Sequence, residues 1–401
     1  MSLSLKYAEV KITEHCNFKC KMCANYSNIA YEEEYGVKEF ERDFQQLARL
    51  DIVFDKLRLI GGEPLLSKNI VRYIEISRKY QPKADIHLLT NGLLLSEMDN
   101  KFYDALKTYN IMLQFSNYPD PTNQERKDSG KRILEKKKVR YFEYKPDFFE
   151  VDYKFNKDRD DTNEVFEKCN YIYDMLNIYH GWIYKCPRPI SLRHYDCMYG
   201  TSYADMKDGI SLFDTATTQK KIIEYLNHPI KSCKYCSKYK SFALWEKGDI
   251  EKNQWNNDKD NPLILLNMSK KELYQSGAFK KLKLMYLNID GDKKEFGEKT
   301  LEDLLNIGGK RYIWLSDAFN IDRLHFLYDL LQKYEYEIEG IYISDDNCIK
   351  WIREDILCDK FELDELVEKK EHSILFVLSS EQEKIIRVLS KFLREKKKRE
   401  S

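Results

Sequence analysis

Three cysteines within one short stretch, Cys16-Asn17-Phe18-Lys19-Cys20-Lys21-Met22-Cys23, constrain this chain more than any other feature. A fold that accepts them must hold a tight loop with several thiols facing one point. The loop follows an alternating apolar run, Tyr7–Ile12, so it hangs on the end of a strand. Three thiolates suit three irons of a cubane [4Fe–4S] cluster and leave the fourth iron open, whereas closed clusters take four cysteines. An open iron calls for a substrate or cosubstrate. Zinc is the alternative at this point, because His15 completes a four-ligand set.

The 401 residues suffice for two or three domains with a large core. Lys+Arg and Asp+Glu are equal at 67 each, so no excess charge favours nucleic acid or an acidic membrane. Lys6, Glu9 and Lys11 interrupt any apolar signal segment after Met1. No run approaches the roughly 18–20 apolar residues of a membrane span. The expectation is a cytoplasmic protein whose ten cysteines serve metal or redox chemistry rather than disulfides.

Along the chain, strand and helix patterns alternate. Strands are expected at Tyr7–Thr13, Lys56–Ile60, Asp85–Leu89, Ile111–Ser116 and Val139–Tyr144, and helices at Phe40–Leu50, Ile70–Tyr80 and Ser96–Asn110. Repeated βα units imply a parallel sheet or barrel with helices outside. Sites in such sheets gather at the C-terminal strand ends. The three cysteines, Gly61-Gly62-Glu63-Pro64, Thr90-Asn91-Gly92 and Ser116-Asn117 all follow strands, which places them on one rim. Asp120–Lys138 reads as a loop and solvated helix, and polar Asp147–Asn163 as a crossing segment or substrate-side loop.

A second set of thiols follows. Cys169 precedes a helical pattern, Gly181–Pro187 reads as a hairpin strand delivering Cys186, and Cys233-Lys234-Tyr235-Cys236 closes the set. Four thiols are the number that closes a cubane, with zinc again the alternative. Cys197 lies nearby as a substitute ligand or an ordinary thiol. From about Asn261 the pattern changes to strand-like runs at Leu263–Leu266, Tyr312–Leu315, Gly340–Ser344 and Ser373–Leu378, with helices at Asp322–Tyr334 and Glu381–Arg394. This reads as a small Rossmann-type sheet, yet Leu315–Asn320 carries no glycine for close approach of a pyrophosphate.

With these residues assembled, the chain resembles the radical SAM (S-adenosylmethionine) superfamily through C-x3-C-x2-C, Gly61–Pro64, Thr90–Gly92 and Ser116, over about its first 150 residues. The resemblance implies an α/β fold. A partial (β/α)6 TIM-like barrel would span 1–165, a small SPASM/twitch-type iron–sulfur domain 166–258, and a degenerate Rossmann-like domain 259–401. It implies a [4Fe–4S] cluster on Cys16, Cys20 and Cys23 with S-adenosylmethionine on the open iron. Gly61, Gly62, Glu63 and Pro64 would hold the methionine part, Met22 would face the adenine, and Thr90, Asn91, Gly92, Ser116 and Asn117 would complete the site. An auxiliary [4Fe–4S] cluster would sit on Cys169, Cys186, Cys233 and Cys236, with Cys186 or Cys197 as a hydrogen-atom donor if the outcome is epimerisation.

Chains of this layout are similar to radical SAM proteins of cell-surface polysaccharide pathways. The implied activity is reductive cleavage of S-adenosylmethionine and hydrogen abstraction from a sugar or sugar conjugate, with an external electron donor such as flavodoxin or ferredoxin. Peptide modification and a non-catalytic, cluster-bearing subunit are the competing expectations.

Overall fold

Strand β1 (Leu3–Thr13) sets the architecture because its two faces differ in chemistry. Ala8, Val10 and Ile12 join the main apolar core, while Tyr7, Glu9, Lys11 and Thr13 occupy the alternate positions. The computed structural model describes residues 2–144, 146, 148–155, 159–169, 176–257, 261, 264–290, 293–316, 321–344, 352–360 and 373–378. It divides into two units: Met1–Lys238 with Trp245–Asp258, and Tyr239–Leu244 with Lys259–Ser401.

In the first unit β1 pairs in parallel with β2 (Ile52–Gly61), which continues through β3 (Asp85–Thr90) and β4 (Met112–Ser116) to β5 (Tyr141–Tyr144). Strands β6 (Phe148–Tyr153) and β10 (Cys236–Leu244) lie outside this sheet. On the other side of β1 lie parallel β7 (Leu176–Tyr179) and antiparallel β8 (Trp182–Tyr184) and β9 (Ile210–Ser211). The sheet order is β5-β4-β3-β2-β1-β7-β8-β9. It is an open sheet in which β1 to β5 and β7 run parallel.

Helices α1 (Val37–Arg49), α2 (Ile70–Tyr80), α3 (Asn100–Thr108) and α4 (Gln124–Lys136) cover its apolar face. Phe40, Phe44, Tyr73, Phe102 and Leu134 share the core with Val10, Leu59, Leu88 and Phe115. Burying each such side chain is worth roughly 1.5–3 kcal/mol, enough to fix the strand register.

Two expectations need correction here. The helix expected over Ser96–Asn110 begins later, because the Asp99 carboxylate accepts the Phe102 N–H at 2.9 Å and caps α3. Polar Asp147–Asn163 is not all loop: it contains β6 and the first two residues of the short helix α5 (Thr162–Glu167). Asp152 is buried in β6 because Arg188 forms an ion pair with it.

Helix α6 (Arg188–Tyr199) brings a polar network against the end of β1. The Glu14 carboxylate meets Lys11 Nζ at 3.2 Å, His194 Nε2 at 2.7 Å and the Arg193 guanidinium at 3.5 Å. Burial alone would raise Glu14, but Lys11, His194 and Arg193 outweigh it and hold the carboxyl well below its usual range. Burial holds His194 below its ordinary value against the pull of Glu14. Neutral His194 then donates its Nε2–H to the carboxylate.

The second unit holds a sheet in the order β12-β11-β16-β13-β14-β15. Its strands are β11 (Lys283–Asp290), β12 (Lys293–Thr300), β13 (Lys310–Leu315), β14 (Gly340–Ile343), β15 (Asp359–Lys360) and β16 (Ser373–Leu378). The last four run parallel, and β11 and β12 form an antiparallel hairpin. That hairpin escapes the sequence pattern because the edge strand β12, KKEFGEKT, has one large apolar residue. Of the strand expected at Leu263–Leu266, Leu263 lies outside the described residues, Ile264 makes a single bridge, and Leu265–Asn267 makes a 3-10 turn, closed by Asn267 Nδ2 on the Asn261 carbonyl at 2.8 Å. Asp317–Asn320 and the helix expected at Glu381–Arg394 lie outside the described residues.

The Glu14 network makes stability depend on pH. Both groups bind protons more weakly when folded, so their contribution is present above the ordinary His value of 6.5 and declines as pH falls below it. Replacing His194 should expose this contribution: the change in unfolding temperature between about pH 7 and pH 5 should be less unfavourable to the fold in His194→Gln than in the wild type, whose His194 binds its proton more weakly when folded. Lys11→Met should destabilise by about 3–5 kcal/mol in urea unfolding, because it leaves a buried carboxylate short of one partner.

Candidate metal centre and cosubstrate cavity

The carboxyl ends of β1 to β4 converge on a cavity of about 200 Å³. Cys16, Cys20 and Cys23 line it together with Gly61, Gly62, Pro64, Thr90, Asn91 and Ser116. The meeting depends on a close backbone approach. Gly62 N–H donates to the Thr13 carbonyl at 3.0 Å, and Glu63 N–H to the His15 carbonyl at 3.1 Å. A Cβ on Gly62 would sit 2.0 Å from that His15 oxygen, so only glycine fits.

Not every expected residue faces the cavity. Glu63 is fully buried and absent from its wall. Its carboxylate accepts from Thr90 Oγ1 at 2.8 Å, Asn91 N–H at 2.8 Å and Leu65 N–H at 3.0 Å. It therefore ties the β2 end to the β3 end. Burial pushes its carboxyl up to about 7, against the pull of those donors.

Met22 is 1% exposed and also absent from the wall, where Phe18 and Tyr118 supply the aromatic surface. Gly92 turns the chain at φ +80° against the Phe115 ring. Asn117 is engaged elsewhere, giving its amide to Glu143 at 2.6 Å and accepting from Lys127 Nζ at 3.0 Å.

The sequence reading missed Glu9 and Arg58, which line the same cavity and pair at 3.0 Å. The signal was available: each charge alternates with buried apolar neighbours, Ala8 and Val10 around Glu9, and Leu57 and Leu59 around Arg58. It also missed Trp245, whose indole N–H donates to Cys20 Sγ at 3.1 Å. Phe18 N–H points at Cys16 Sγ at 3.3 Å, and Asn91 Nδ2 at 3.7 Å. Burial, with the neighbouring Cys23, pushes Cys20 up to about 12, and burial raises Cys16 as well. Such thiols stay protonated unless a metal replaces the proton, and the N–H donors around them suit ligating thiolates. The donor set fits a cubane. His15 is absent from the cavity wall.

The later cysteines lie near enough to influence one another electrostatically. Burial raises Cys186, and Cys233, Cys236 and Cys169 raise it further. Burial pushes Cys236 up to about 11 against the nearby Arg188, with Cys169 and Cys233 adding to the rise. Lys185 stands beside these thiols with its ammonium on the Leu226 carbonyl at 3.1 Å. Two cations next to four half-buried thiols would offset the charge that a tetrathiolate cluster carries. Cys197 stands apart, exposed, with its sulfur 3.3 Å from the Tyr31 hydroxyl.

Residues 10–138 match the family model described as the radical SAM superfamily. This segment is a radical SAM domain, a class that uses a [4Fe–4S] cluster and S-adenosylmethionine. Two curated relatives are each named GTP 3′,8-cyclase. One from Aliarcobacter butzleri is 34% identical over 131 residues, 32% of this chain and 41% of its own length. One from Nautilia profundicola is 35% identical over 111 residues, 27% of this chain and 35% of its own length. The chain thus spans less than half the length of these relatives. Their names concern GTP, not surface glycans. Among solved structures, BtrN in complex with AdoMet and 2-DOIA aligns at TM-score 0.35 and 16% identity, covering 46% of this chain and 74% of that one. No described helix is long and apolar enough to cross a membrane.

Iron analysis separates the two thiol sets. Anaerobically reconstituted protein should hold about eight irons if both sets carry cubanes. Cys16/Cys20/Cys23→Ala and Cys186→Ala should each lower this to about four. Cys197→Ala should leave the iron unchanged, and a loss there would return Cys197 to the ligand set.

Proposed function

We propose that this chain is a radical SAM enzyme that takes a hydrogen atom from a sugar ring, free or in a sugar conjugate, and oxidises or epimerises it. The observation that carries the substrate class is a polar cluster that reaches the cavity wall through Glu9 and Arg58. Tyr7 donates its hydroxyl proton to Glu9 at 2.6 Å, and Arg58 pairs with the same carboxylate at 3.0 Å. Donors and acceptors are thus present without net charge, which suits neighbouring hydroxyl groups better than a free phosphate or an ammonium. The relatives named for GTP support a substrate with a ribose or other sugar ring.

Bound at Cys16, Cys20 and Cys23, a [4Fe–4S] cluster would supply one electron for reductive cleavage of S-adenosylmethionine, giving the 5′-deoxyadenosyl radical that abstracts hydrogen. The free backbone at Gly61 and Gly62 would receive the methionine part, with Thr90, Asn91 and Ser116 on the ribose side. Phe18 and Tyr118 would flank the adenine and exclude water. Cys169, Cys186, Cys233 and Cys236 would hold an auxiliary cluster. The gathering of Cys186 with three other thiols supports a ligand role for it and an oxidative outcome, over a role as hydrogen donor. Flavodoxin or ferredoxin is the proposed electron source.

The test is deuterium transfer. Reduced, reconstituted protein is given S-adenosylmethionine with ring-deuterated nucleotide sugars, GTP or deuterated peptides, and 5′-deoxyadenosine is analysed by mass spectrometry. Label from a sugar ring is the expected result. Label from peptides alone would replace this reading with peptide modification, and a cyclised GTP product would replace it with nucleotide cyclisation. Arg58→Met should raise KM for the labelled substrate at least tenfold, about 1.4 kcal/mol, while substrate-free cleavage of S-adenosylmethionine persists.

A further inference from the structure

We propose that Trp245 is a redox-positioning residue: its indole N–H donates to the Cys20 sulfur and stabilises the reduced state of a cluster held by the cysteine loop. The inference rests on the iron–sulfur reading of Cys16, Cys20 and Cys23.

The contact is 3.1 Å from Nε1 to Sγ, between residues 225 positions apart in the chain. The indole nitrogen is a donor only, so its hydrogen bond has one direction. Aromatic packing fixes the ring. Its plane lies 22° from that of Tyr118 with centroids 5.8 Å apart, and Phe18 packs against it at 5.7 Å. The main chain fixes the register. Lys21 N–H donates to the Glu246 carbonyl at 2.9 Å, and Gly248 N–H to the Lys19 carbonyl at 3.2 Å. Cys20 and Lys247 form an antiparallel bridge between these bonds. Trp245 is therefore strapped to the cysteine loop by backbone as well as by its ring.

Electrostatics give the contact a function. One-electron reduction lowers the charge of a cluster and its ligating sulfurs by one, with no bond broken and no proton moved. A buried N–H aimed at such a sulfur stabilises the added charge more than it would in water, and so raises the reduction potential. Trp245 is 8% exposed, so little water competes. The residue thereby eases electron entry from a low-potential donor.

Trp245→Phe keeps an aromatic ring between Phe18 and Tyr118 and removes the N–H. In EPR-monitored redox titration of the reconstituted protein, the reduced-to-oxidised ratio of the first cluster at fixed potential should fall about tenfold. That equals a midpoint about 59 mV lower for a one-electron couple. The auxiliary cluster in the same sample should not move. An unchanged or higher first midpoint overturns the proposal.

A second measurement needs no variant. Wild-type protein carrying 15N-indole tryptophan should show 15N coupling to the reduced first cluster in pulsed EPR, and absence of that coupling also overturns the proposal. Iron that is present without coupling defeats the role of Trp245 alone. Failure of the loop to bind iron defeats the underlying reading.

Discussion

The close approach of the β2 end to the end of β1 is the constraint on which the rest of this structure depends. Gly61 and Gly62 let two backbones pass where any side chain would collide with Thr13 or His15. The backbone hydrogen bonds made there set the cysteine loop beside a free strand end. Glu63 extends the constraint sideways, since its carboxylate gathers donors from Thr90, Asn91 and Leu65. A rim with the open geometry of a cosubstrate site follows from these few contacts. Glu63 thus holds the strand ends together from beneath the rim.

A second theme is how the chain tolerates charge inside. The strand faces turned from the apolar core carry Glu9, Lys11 and Arg58, and each charge has a partner. Helix α6 contributes to two sites at once. Its first residue, Arg188, pairs with Asp152 and stands near Cys236, while Arg193 and His194 complete the Glu14 network. Buried ions of this kind cost much when unpaired and contribute modest net stability when paired. Their arrangement is therefore better understood as positioning of the loop and thiols than as a source of stability.

Much of the fold was legible in the sequence where one face of a strand or helix is apolar. The helix over Ile70–Tyr80 and the parallel strands that end in Gly61, Thr90 and Ser116 follow from such periodicity. Elements without an apolar face were not legible. Strand β6 hides in a polar stretch because Arg188 neutralises Asp152 from a distance in sequence, and β12 is an edge strand of mostly charged residues. Met22 and Asn117 illustrate the matching limit at the site. Motif position places them near the cavity, whereas packing and hydrogen bonds turn them into the core and toward Glu143.

By itself, the sequence determined which chemistry this chain can support. The thiol spacing, the glycine pair and the strand-end polar residues lie within short segments, so local order specifies them. Tertiary structure alone decided what surrounds those groups. Trp245 reaches Cys20, Lys185 and Arg188 reach the later thiols, and Glu9 meets Arg58 only because the sheet and its returning segments bring distant residues together. The physical reason is range. Backbone geometry is set by neighbours in sequence, while the field and the hydrogen bonds at a buried sulfur or carboxylate are set by whatever the folded chain packs beside it.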